Sequence, residues 1–158
     1  MINVLRQFAV SALANLSPSP PATNLGGFPG TPRLKILLVE DDEADACLIK
    51  EILEANPRVR EVLHAEDGVK ALELVRCGWF NPDLAVIDIR MPRKDGLTFL
   101  KDLAARPSAL FPCAVLTSSK SGKDAMRAKH RGAVEFVTKP KAENEMRFAL
   151  DRLIATVG

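Results

Sequence analysis

Net charge is almost absent from this chain: 22 lysines and arginines stand against 20 aspartates and glutamates, leaving +2. So small an excess argues against a dense basic footprint for nucleic acid, and against direct control of transcription. Cysteines are scarce and odd in number. Cys47, Cys77 and Cys113 show no metal-ligand spacing, which fits reduced thiols in a cytosol better than a disulfide framework or a zinc site, and their expected role is small apolar filler. Acids are missing before Glu40, and Arg6 is the only base before Arg33. In that leader Pro18, Pro20, Pro21, Pro29 and Pro32 cluster with Gly26, Gly27 and Gly30, so the chain divides into an N-terminal extension, 1–32, and a domain, 33–158.

Within the extension, Val4, Leu5, Phe8, Ala12, Leu13 and Leu16 recur at helical spacing. Asn3 to Leu16 is therefore either a short amphipathic helix that docks a partner or pairs two copies, or an extension without a fold of its own. It is too short to span a bilayer. Ala12-Leu13-Ala14 has the form of a signal-cleavage site, yet the basic region that should precede it is nearly missing, so the expectation is a cytoplasmic protein.

From Arg33 onward short apolar runs alternate with amphipathic segments. Strands are expected at Lys35–Val39, Val59–Ala65, Asp83–Asp88, Phe111–Thr117 and Val134–Thr138. Helices are expected at Ala44–Ala55, Gly68–Arg76, Gly96–Ala105, Gly122–Arg131 and Ala142–Val157. Strand–helix alternation implies an α/β fold with a parallel sheet covered on both faces. Right-handed crossovers favour a doubly wound five-stranded sheet in the order 2-1-3-4-5, whose switch point lies between the first and third strands.

Carboxylates stand where those two strands run out. Leu37-Leu38-Val39 leads into Glu40-Asp41-Asp42, and Ala85-Val86-Ile87 leads into Asp88. Acids converging on one crevice must hold a proton, take up a cation or do chemistry that uses one. Thr117 and Lys139 close the fourth and fifth strands, which adds a hydroxyl and an ammonium to the same rim. A bare dinucleotide phosphate would want a glycine-rich turn after the first strand, but Glu40-Asp41-Asp42-Glu43 stands there. An anion must then arrive with a divalent cation, and hard oxygen donors favour Mg²⁺, or Mn²⁺, over zinc. A phosphatase would want a second acid two residues after its nucleophilic aspartate, where this chain has Arg90. Glu43 is expected to favour the positive end of the first helix, and His64 and His130, without acid or nucleophile partners in sequence, are expected to be structural or surface residues.

These residues resemble the CheY-like receiver domains of two-component response regulators. The resemblance lies in Ile36 to Asp42, in Val86-Ile87-Asp88-Ile89-Arg90-Met91-Pro92 with Asp95-Gly96, in Leu116-Thr117-Ser118-Ser119, and in Phe136-Val137-Thr138-Lys139-Pro140. The stretches Glu43-Ala44-Asp45-Ala46, Pro92 to Gly96 and Leu116 to Ser119 are more narrowly similar to single-domain regulators that serve phytochrome-type histidine kinases. The resemblance implies Asp88 as phosphoacceptor, and Glu40, Asp41, Asp88 and the backbone carbonyl of Arg90 as the Mg²⁺ site. It implies Lys139, Thr117 and Ser118 as the phosphoryl-binding side chains, with Lys139 pairing to Asp88. Thr117 and Phe136 would be the switch pair, although Phe136 replaces the usual tyrosine and brings no phenol hydroxyl. A cis peptide before Pro140 and a water path flanked by Arg90 and Ser119 are also implied.

On this reading the protein is a stand-alone regulator, not a turnover enzyme on an external substrate. It is phosphorylated by a sensor kinase and signals through protein contacts, since no output domain is expected after Val157. The basic fourth helix, with Lys120, Lys123, Arg127, Lys129, His130 and Arg131 on it or beside it, would join the fifth strand and fifth helix as the surface for an acidic partner or a second copy. The alternatives are a phosphorelay shuttle that passes the group to another histidine and a phosphorylation-independent scaffold.

Overall fold

The computed structural model describes residues 33–78, 80–106 and 111–157; the expectations for the leader fall outside them. The elements alternate as β1 (Leu34–Val39), α1 (Glu43–Ala55), β2 (Val59–Ala65), α2 (Gly68–Arg76), β3 (Leu84–Ile87), α3 (Gly96–Ala104), β4 (Cys113–Thr117), α4 (Gly122–His130), β5 (Ala133–Thr138) and α5 (Glu143–Ala155). The sheet is parallel throughout, in the order β2-β1-β3-β4-β5. The doubly wound fold expected from the alternation is the fold observed.

Successive side chains of a strand point to opposite faces, so each central strand feeds two cores. Leu37, Val39, Ala85, Ile87 and Val115 meet α2, α3 and α4, where Phe99, Leu100 and Leu103 are buried. Ile36, Leu38, Leu84, Val86, Ala114 and Leu116 meet α1 and α5 through Ile49, Leu53, Leu150, Leu153 and Ile154. Helix α4 buries only Ala128 and leaves its basic side chains in solvent.

Two strands are shorter than expected. Pro112 has no N–H to give to a ladder, so β4 begins at Cys113, although the Pro112 carbonyl still accepts from Ala85 N at 3.0 Å. Asp83 leaves β3 because its side chain caps the edge instead, with Oδ2 accepting from Lys35 N at 2.8 Å. The filler role holds for Cys113, where burial pushes the thiol up to about 12; Cys47, on the outer side of α1, and Cys77, which caps the end of α2, are exposed.

Helix entry fixes the loops at the carboxyl edge of the sheet. Asp42 caps α1 by accepting from Asp45 N, and Asp95 caps α3 by accepting from Thr98 N at 2.7 Å. Asp67, fully buried, accepts from Val69 N and Lys70 N at 2.8 Å each, and its other oxygen pairs with Arg93. The turn after β3 is thereby tied to the turn after β2.

Candidate functional site at the carboxyl edge of the sheet

Strand register delivers the acids. Val39 pairs with Ile87, so the chain leaves both central strands at the same level, and Asp88 N donates to Val39 O at 2.9 Å. Glu40 N donates to Ala65 O at 3.0 Å, which fixes the first residue past β1 against β2. Glu40, Asp41 and Asp88 consequently bring carboxylate oxygens within 4.8 Å of one another. Glu40 is 1% and Asp88 6% exposed, whereas Asp41 stands in solvent and keeps the cluster open to it. Asp88 Oδ1 accepts from Ile89 N at 2.7 Å, which pins the side chain.

Lys139 comes from the far edge. Its N–H donates to Thr117 O at 2.8 Å, so the ends of β4 and β5 are locked together and the side chain turns inward, 7% exposed. It does so without a cis bond, for no cis peptide occurs among the described residues, which corrects the expectation at Pro140. The ammonium lies 2.7 Å from Glu40 Oε2, 2.7 Å from Asp45 Oδ2 and 3.6 Å from Asp88 Oδ2. Its close partners are therefore Glu40 and Asp45, with Asp88 the more distant. Asp45 had no expected role in the site, since only the three-dimensional turn of α1 puts it over the strand ends.

Thr117 is fully buried, with Oγ1 accepting from Ser119 N at 3.3 Å, while Ser118 is exposed. Ser119 departs from its expected place beside a water path. It is 1% exposed, and its hydroxyl donates to Asp124 Oδ2 at 2.6 Å because Asp124 lies in the first turn of α4 directly after it. Arg90 is exposed in the turn past Asp88. Phe136 is half-buried against the core below β4, beside a groove of about 340 Å³ that Met126 and Val134 also line. His64, on edge strand β2, contacts the Glu40 carbonyl through Nε2 at 2.7 Å, a structural tie as anticipated.

One cation faces several acids here. Burial pushes the Glu40 carboxyl up to about 7, against the hydrogen bond and charge of Lys139, and the Asp88 charge adds to the rise. Burial alone would lower the Lys139 ammonium; hydrogen bonds to Asp45 and Glu40, then the charges of Asp88 and Glu40, outweigh it and raise the group above the usual lysine range. The folded protein thus holds the Glu40 proton more tightly than the unfolded chain does. Stability from this group is full below about pH 4.5 and is lost as pH rises through about 7, by on the order of 3 kcal/mol. Thermal melts in a chelator should fall across that window, and Glu40→Gln should flatten the slope; an unchanged slope in Glu40→Gln would contradict the burial of an ionising Glu40.

Residues 36–151 match the profile of the response regulator receiver domain. The chain belongs to that family. Among curated proteins, this receiver is 38% identical over 110 residues to a protein-glutamate methylesterase/protein-glutamine glutaminase of Bordetella pertussis, covering 69% of the chain and 31% of the relative. It spans about a third of the length of the curated relatives it matches. Among solved structures, the phosphorylated cyanobacterial phytochrome response regulator RcpA superposes with a TM-score of 0.73 at 26% identity, over 80% of this chain and 97% of that one. The signal receiver domain of a histidine kinase from Syntrophus aciditrophicus gives 0.65 at 30% identity, over 78% and 92%. Among the described residues no helix is long and apolar enough to cross a membrane.

Proposed function

We propose that this receiver accepts a phosphoryl group from the phosphohistidine of a sensor kinase onto Asp88. The carrying observation is the meeting of Glu40, Asp41 and Asp88 within 4.8 Å beside the Lys139 ammonium. A carboxylate oxygen of Asp88 forms the new O–P bond as the P–N bond breaks, and the imidazole nitrogen keeps the electron pair and takes a proton.

The donor set fits a hard divalent cation: three carboxylates from two adjacent strand ends, one of them open to solvent, with more negative charge than Lys139 offsets. Glu40, Asp41, Asp88 and the Arg90 carbonyl would hold Mg²⁺ or Mn²⁺, which when bound supplies charge neutralisation between two anions. Lys139 balances the charge left on the phosphoryl group, Thr117 donates its hydroxyl to that group, and exposed Ser118 leaves room for it.

Signalling runs through Thr117 and Phe136. The hydroxyl moves toward the phosphoryl group, and the half-buried ring packs into the space it leaves. Exposed Met126, Val134 and Phe148, among the basic side chains of α4, give the face of α4, β5 and α5 to an acidic partner or a second copy, and salt should weaken that contact. The match over nearly all of the cyanobacterial phytochrome regulator supports a phytochrome-type kinase as donor. The receiver itself acts as acceptor, not as a turnover enzyme, and works in the cytoplasm. Incubation with a small phosphodonor and Mg²⁺ should add the mass of one phosphoryl group, and a chelator should abolish the gain. An equal gain in the chelator would refute the metal-dependent reading.

A further inference from the structure

The Lys139 ammonium has three protons, and two acids already hold it at 2.7 Å, leaving Asp88 at 3.6 Å, beyond a hydrogen bond. One of the two is Glu40, which is buried, with Oε2 on the ammonium and Oε1 accepting from Asp42 N at 3.2 Å. The other is Asp45, whose side chain is 39% exposed and which water can solvate if the ammonium leaves. Its position is fixed independently, because Asp45 N donates to the capping Asp42 at 2.9 Å and so sets the first turn of α1 over the strand ends.

We propose that Asp45 is a positioning residue that holds Lys139 away from Asp88, so that the phosphoryl group must win the ammonium from it. This rests on Asp88 being the acceptor. A phosphoryl group brings roughly two negative charges to within reach of Lys139. The ammonium then exchanges its half-exposed partner for the new anion and keeps the buried one. Asp45 thereby opposes phosphorylation and favours return to the unmodified state, through Lys139 and without touching the reacting atoms.

The test uses beryllofluoride with Mg²⁺ as a phosphoryl mimic, titrated by ¹⁹F NMR into the full chain. Asp45→Asn, which keeps the shape and removes the charge, should bind the mimic about three- to fivefold more tightly, the upper part of the range expected for losing a half-exposed ion pair. Asp45→Glu should restore an affinity close to the original. In metal-free protein the Lys139 Nζ resonance of ¹⁵N-lysine-labelled protein should shift in Asp45→Asn and return in Asp45→Glu, a signature that a merely structural loss in α1 would not give. Asp42→Asn removes a neighbouring charge while retaining a good helix cap, and should change affinity less than twofold. Equal tightening in Asp42→Asn, no tightening in Asp45→Asn, or an unmoved Lys139 resonance would each overturn the proposal. If the unaltered protein binds no mimic, the acceptor reading fails and takes this one with it; if it binds and Asp45→Asn does not differ, only the role of Asp45 fails.

Discussion

Asp88→Asn takes up no phosphoryl group from a small donor in the presence of Mg²⁺, while its melting temperature stays level or rises. The first half follows from chemistry: an amide oxygen is a poor nucleophile toward phosphorus, and the substitution also removes one of three hard donors from the cluster. The second follows from electrostatics. The Asp88 charge helps to drive up the buried Glu40 carboxyl, so its removal relieves repulsion instead of breaking a close ion pair, since Lys139 stands nearer to Glu40 and Asp45. Intact mass and a thermal melt on the same sample read both. Uptake in Asp88→Asn at the level of the unaltered protein would move the acceptor to another carboxylate, Asp41 being the exposed one.

The second large effect is expected at Gly96. A Cβ there would meet the Asp88 carbonyl oxygen at 2.1 Å and Ile87 Cγ2 at 2.9 Å, while Gly96 N donates to Ile89 O at 3.0 Å. The start of α3 is thus pressed directly onto the turn that carries Asp88. Backbone cannot yield as a flexible side chain would, so Gly96→Ala should cost about 3 kcal/mol, a fall of roughly 10 °C in melting temperature for a domain of this size. Whatever protein remains folded should accept phosphoryl groups slowly, because α3 can make room only by pushing Asp88 from its place. Gly122, at the same position of α4, has open space around its would-be Cβ, so Gly122→Ala should stay within about 0.5 kcal/mol. A Gly96→Ala protein as stable as Gly122→Ala would show that the close approach is not real.

The strand ends were readable in the sequence because two facts converge there. A parallel strand buried on both faces is a run of apolar residues, and the first polar residue after Val39, Ile87, Leu116 or Val137 marks the rim where its chain leaves the sheet. Glu40, Asp88 and Thr117 are found that way, Lys139 follows one residue after Thr138 as the first residue past β5, and the β1–β3 register confirms that Glu40 and Asp88 leave at one level. What the pattern could not show is which side chain a long, flexible lysine chooses. Asp45 lies on the first turn of α1, 94 residues from Lys139, and an acid there reads simply as a favourable helix N-terminus. The signal that could have found it is its spacing: three residues past a capping aspartate, on the turn that overhangs the strand ends. Ser119 was misplaced for a similar reason. Its hydroxyl turns to Asp124, and nothing in a five-residue separation says whether a serine faces the rim or the helix behind it. The tie between buried Asp67 and exposed Arg93 joins two loops that periodicity leaves blank.

The central claim is that Asp88 itself carries the phosphoryl group, and chemical trapping locates the modified residue directly. After phosphorylation with a small donor and Mg²⁺, borohydride reduces an aspartyl phosphate to homoserine, and peptide mapping by mass spectrometry finds it. Homoserine at position 88 alone is the expected result. Homoserine at position 41 or 45, or a stable phosphoryl group on a histidine or serine with position 88 unchanged, would contradict the account.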